Sequence, residues 1–131
     1  MPVIRFLLLI VGLLTGATAL HAAENGCQTQ GLLRVDDHVQ MLNYCLANQG
    51  TEASRFRRMC ADLKASQLDG VSPEAARKIT FRTVGSCPGN FRAACDGAFG
   101  EKASLQYMAD DSMLKSGMGK LFCQSMEGRW K

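Results

Sequence analysis

Histidine and the larger aromatics are scarce in this 131-residue chain, which holds two histidines, two tyrosines and one tryptophan. His21 falls in an apolar N-terminal segment, so His38 is the one imidazole left for chemistry, and a histidine-built metal centre or His-paired nucleophile lacks its parts. No Gly-x-Ser-x-Gly elbow marks a hydrolase. No two of the six cysteines stand as Cys-x-x-Cys, which removes support for a thioredoxin-like redox site, a zinc ribbon or a c-type haem attachment. The apolar run Phe6 to Leu14 is too short to span a bilayer core of roughly 30 Å. A formal charge of +3 without a clustered basic face argues against nucleic acid as a partner. With three prolines, 47% hydrophobic and 21% charged residues, the composition suits one small globular domain and excludes a disordered tail.

What is present begins with an export pattern. Arg5 gives a positive start, Phe6 to Leu14 the apolar stretch, and Ala17, Ala19, Ala22 and Ala23 a small-residue end, which together read as a secretory signal peptide over residues 1–23. Glu24, Asn25 and Gly26 before Cys27 match a lipoprotein box only at the glycine, so lipidation is not expected. The remaining single domain, residues 24–131, is expected to be periplasmic or secreted, with no stable membrane insertion once the signal is removed.

All six cysteines, Cys27, Cys45, Cys60, Cys87, Cys95 and Cys123, follow the signal. An even number in an exported chain implies three structural disulfides, each adding roughly 2 to 4 kcal/mol to a domain too small for a large core.

Val35, Val39, Leu42 and Leu46 recur at helical intervals, and a second segment from Thr51 or Glu52 carries Phe56, Cys60 and Leu63 on one face with Met59 beside them. The two predict an antiparallel helical hairpin. Ser72, Pro73 and Glu74 form a helix start, because serine caps exposed amides and proline suits the first helical position. The following Ile79 to Val84 is rich in β-branched residues and reads either as the end of that helix or as a strand. Ala93 to Phe99 and Ala103 to Met108 read as a hairpin. Asp110, Asp111 and Ser112 offer N-caps for a last helix with Leu114, Met118, Leu121 and Phe122 on one side. Cys123 projects opposite that stripe, so this helix is either covered on two sides or bent at Gly117 and Gly119. The expected fold is mainly α within an α+β class: a disulfide-crosslinked helical part over residues 24–86, then a β-hairpin and helix over 87–131.

Cys95, the strand end Gln106-Tyr107, Cys123 and Glu127-Gly128-Arg129-Trp130 together resemble a pattern found near the C-terminus of small uncharacterised bacterial periplasmic proteins and lipoproteins. Those chains run Cys, tyrosine-rich strand, helix, then Cys-x-x-x-Gly-Gly-x-Trp; here Glu127 replaces the first glycine. The resemblance covers about the last third of the chain and implies that Cys95 pairs with Cys123, with Trp130 over the joint. It brings no biochemical role. Cys27, Cys45, Cys60 and Cys87 then pair in one of three ways, of which Cys45 with Cys60 and Cys27 with Cys87 suits the helical hairpin.

No catalytic residue, metal site or cofactor is assigned. His38, after Asp36 and Asp37, sits beside the apolar stripe and reads as a structural imidazole. Met108, Met113 and Met118 are five apart and diverge by about 140° on a helix, so they read as core rather than as copper(I) ligands. Basic side chains around an aromatic are the candidate partner-binding group: Arg55, Arg58, Arg77, Phe81 and Arg82, with Tyr44 expected on an open helix face. The expected function is that of an exported, non-enzymatic protein that binds a protein of the cell envelope, in the manner of an inhibitor or immunity protein. An envelope structural or stress factor, and a small periplasmic hydrolase or metal binder, are the alternatives.

Overall fold

A computed structural model describes residues 24–131; the expected signal segment lies outside them. The described residues form a six-stranded antiparallel sheet with helices on one face, in place of the mainly helical domain that the sequence suggested. The strands are β1 (Gly26–Val35), β2 (His38–Asn48), β3 (Ile79–Val84), β4 (Ala93–Asp96), β5 (Ala103–Tyr107) and β6 (Arg129–Trp130), in the order β3-β1-β2-β5-β4-β6. The helices are α1 (Ala53–Leu68), α2 (Pro73–Ala76), α3 (Ser112–Lys115) and α4 (Met118–Ser125).

The correction comes from one misleading coincidence of spacing. Val35, Val39, Leu42 and Leu46 fit a helix, but Val39 is 54% exposed while Leu42, Tyr44 and Leu46 are buried, which is the alternation of a strand with one face inward. Asp36 and Asp37 close the β1–β2 hairpin, with Asp36 at φ 54° in a region that aspartate tolerates. Ile79 to Val84 adopts the strand alternative and pairs with β1.

The remaining signals correspond to real elements. Glu52 caps α1 by accepting from the Ser54 and Arg55 amides, and Ser72 caps α2, which lasts only one turn. Gly117 at φ 77° separates α3 from α4, so the final helix bends, Cys123 turns inward, and Met118, Leu121 and Phe122 face solvent.

Register assigns residues to faces. Leu33, Leu42, Tyr44, Leu46, Leu105, Tyr107 and Cys95 share the face covered by helices, and with Phe56 and Cys123 they make the core. Cys27 pairs across from Leu46 and so shares that face, where it bonds to Cys60 of α1. Cys45 points to the other face, where it bonds to Cys87 in the loop that crosses there. The expected Cys45–Cys60 and Cys27–Cys87 pairs are therefore replaced. Cys95 bonds to Cys123, tying β4 to α4. Three disulfides are compatible with an oxidising, exported location.

The turn after α4 explains two of its residues. A side chain at Gly128 would press on both sulfurs of Cys95–Cys123, so glycine lets β6 pass over the bridge. Glu127 sits at φ 59°, a left-handed conformation that costs a residue with a Cβ about 1 kcal/mol. Replacing Glu127→Gly is expected to raise stability by about 0.5 to 1 kcal/mol, measured by urea denaturation. A fall would show that the glutamate side chain makes a compensating contact.

Candidate functional site

Helix α1 packs by Phe56, Met59, Cys60, Leu63 and Gln67, a spacing that keeps one side of the helix on the sheet. Cys27–Cys60 holds it over β1 and β2, while Cys95–Cys123 holds α4 over β4. The two helices leave a cleft between them. Leu42, Tyr44, Leu105 and Tyr107 form its floor, Leu63 and Ser66 of α1 one wall, and Phe122 with Met113 the other, enclosing about 230 Å³. An adjoining space of about 270 Å³ runs past Met59 to Phe99 and shares Leu63, Ser66 and Phe122 with the first.

Two phenols lie in the floor. Burial pushes the Tyr44 phenol up to about 12, with the Asp111 charge adding, and its hydroxyl donates to Gln67 Oε1 at 2.9 Å. Burial also pushes the Tyr107 phenol upward, followed by the charges of Asp111 and Tyr44, so both phenols keep their protons at neutral pH. Tyr107 is 2% exposed, its ring lies 5.7 Å from that of Trp130, and its hydroxyl has no hydrogen-bond partner among the described residues. Since every fully sequestered polar side-chain atom among those residues has a partner, the Tyr107 oxygen is not fully sequestered, and Tyr107 is among the residues that line the cleft.

Around the cleft, apolar side chains stand uncovered. Phe99, Met118, Leu121 and Phe122 are all exposed, Leu121 by 59%. Helices α1, α3 and α4 carry six basic residues, Arg55, Arg57, Arg58, Lys64, Lys115 and Lys120, against one acidic residue, Asp62. Arg55 is paired with Glu101.

The opposite face of the sheet has a different chemistry. Its open cleft, about 600 Å³, is lined largely by polar groups such as Gln28, Gln30, Asn43, Arg92 and Asp110. Among the described residues, no three His, Cys, Asp or Glu side chains gather as a metal ion would require. His38 is exposed at the start of β2, beyond the end of β5.

The six residues singled out from sequence do not form one surface. Arg55 and Arg58 lie exposed on α1 and Arg77 ends α2. Phe81 and Arg82 are neighbours on β3 and so point to opposite faces. Phe81 is half-buried under Lys64, whose Nζ lies 5.3 Å from the ring centre, and Arg82 donates to Gln28 Oε1 at 2.8 Å. Tyr44, expected on an open helix face, is buried in the floor of the cleft. Of the residues that line the cleft, periodicity places Leu42, Leu63 and Phe122 on apolar helical stripes. One signal bears on this: Cys123 projects opposite the apolar stripe, which leaves the last helix either covered on two sides or bent at Gly117 and Gly119, and the bend is what the structure adopts. No family model matches this chain, and searches of curated proteins and of solved structures gave no match.

Proposed function

We propose that the protein is an exported, non-catalytic binding protein that docks an acidic protein of the cell envelope on its helical face, in the manner of an inhibitor or immunity protein. The observation that carries this reading is the uncovered apolar strip of Phe99, Met118, Leu121 and Phe122 on a layer that two disulfides pin to the sheet. Contiguous exposed apolar surface is unfavourable in water and is retained where a partner covers it. The basic excess of the same helices selects an acidic partner and speeds encounter. Periplasm is the oxidising compartment that best fits the N-terminal export pattern together with the three bridges.

The test is photo-crosslinked capture from periplasmic extract with the native protein, Leu121→Asp, Phe122→Asp and, as a control on the opposite face, Arg82→Glu. The two aspartate variants are expected to weaken capture of one acidic protein at least about tenfold while melting within about 3 °C of the parent. The control should capture it normally. Equal capture by all four, or none by the parent, would overturn the assignment and favour an envelope structural factor.

A further inference from the structure

We infer that the cleft between α1 and α4 is an anchor pocket, built to take one aromatic or aliphatic side chain of a protein partner together with a neutral carbonyl that accepts a hydrogen bond from Tyr107. This rests on the docking role proposed above and names the chemistry that the docking surface recognises.

Shape, polarity and charge converge on that occupant. The walls are apolar, with Leu63 on one side and Phe122 on the other, and the volume of about 230 Å³ suits a single side chain rather than a whole cofactor. At the floor, one phenol is engaged and one is open: Tyr44 donates to Gln67, while the Tyr107 hydroxyl has no protein partner among the described residues and is not fully sequestered. A hydroxyl that is open to the cleft and unpaired within the protein is free to donate to a ligand in place of water, which makes Tyr107 a polar fixing point in an apolar pocket. The acceptor it suits is uncharged, because the Asp111 carboxylate already bears on Tyr107 and repels a second anion there. A peptide carbonyl meets that requirement. A fatty acid would have to enter tail first, leaving Tyr107 unsatisfied and its own carboxylate at the mouth beside Asp62. The extension past Met59 to Phe99 gives room for the chain that carries the anchor, and the basic residues of α1 receive its acidic flanks.

The experiment uses N-acetyl-phenylalanine amide and N-acetyl-leucine amide as probes, titrated into the oxidised protein and followed by amide chemical shifts and by fluorescence of Trp130, whose ring packs at a tilt against that of Tyr107. Saturable shifts are expected at Leu63, Ser66, Tyr107 and Phe122. Tyr107→Phe is expected to weaken both probes about three- to tenfold, the share of one neutral hydrogen bond, with the fold unchanged. Absence of saturable shifts at about 10 mM probe, where even a weak anchor is populated, would overturn the pocket. So would equal binding by Tyr107→Phe, or tighter binding of monomeric dodecanoate in the same cleft, which would make it a lipid site. The two proposals fail separately. If partner capture is lost in Leu121→Asp but the amides do not bind, docking stands and the pocket falls; if the amides bind and no partner is captured, the docking role falls.

Discussion

Full reduction of the three disulfides is expected to unfold this protein at 25 °C. Cys27–Cys60, Cys45–Cys87 and Cys95–Cys123 close spans of 33, 42 and 28 residues. Chain-entropy arithmetic assigns each roughly 3.5 to 4 kcal/mol. The first two loops overlap, so their contributions are not independent, yet even about 2 to 3 kcal/mol per bridge approaches the 5 to 15 kcal/mol total of a typical domain. The helical layer makes the loss worse than a uniform figure suggests, since only Phe56 of α1 is fully buried and α4 turns its larger apolar residues outward. Without the bridges little holds either helix on the sheet. Exposure orders the steps: both sulfurs of Cys27–Cys60 belong to half-buried residues, whereas Cys95 and Cys123 are wholly buried. Alkylation under rising reductant should therefore label Cys27 and Cys60 first and Cys95 and Cys123 last, with circular dichroism lost as the later bridges open. A fully reduced protein that keeps its sheet signal and a cooperative melt would refute this account.

The disulfide pairing shows why much of the fold was not legible from sequence. Which cysteines meet depends on the face to which each points, and that depends on whether a segment has period 2 or period 3.6. Val35, Val39, Leu42 and Leu46 satisfy both descriptions in part, because the protruding tip of the hairpin exposes Leu32, Val35 and Val39 where a covered strand would not. Reading the segment as a helix placed Cys45 against Cys60; as strands, β1 and β2 send Cys27 and Cys45 to opposite faces and each finds a different partner. Where local chemistry decides, the sequence was informative: Ser72-Pro73-Glu74 starts a helix, the β4–β5 hairpin forms, and Asp111 caps α3. The binding surface was half legible. Arg55 and Arg58 lie on the helical layer beside the cleft, but Leu121 and Phe122 carried only the periodicity of an apolar stripe, Phe99 stood at the end of an expected strand, and periodicity alone does not say which side of a bent helix is covered.

Asp111→Ala is expected to destabilise the protein by about 3 kcal/mol, far more than the loss of an ordinary helix cap. Strand β5 ends at Tyr107, opposite Tyr44, while β2 continues towards His38 with no strand on that side. Side chains take over the ladder there. Asp111 Oδ2 accepts from the Asn43 amide at 2.7 Å, and Ser112 Oγ accepts from the Met41 amide at 2.7 Å. The other Asp111 oxygen accepts from the Met113 amide at 2.8 Å and so caps α3. One wholly buried carboxylate thus joins the unpaired edge of β2 to the start of the last helical unit, and alanine leaves both amides without an acceptor. Asp111→Asn keeps one carbonyl oxygen but turns an NH2 towards the second amide, so it should recover less than half of the loss. Ser112→Ala removes only the outer bond and is expected to cost about 1 kcal/mol. At several degrees of melting temperature per kcal/mol for a chain of this size, the alanine variant should melt more than about 10 °C below the parent. Because α3 and α4 carry Met113 and Phe122, the same variant should also open the wall of the cleft, seen as loss of protection from hydrogen exchange at both residues while the β1–β3 amides stay protected. A melting temperature within about 3 °C of the parent would show that β2 holds this edge without Asp111.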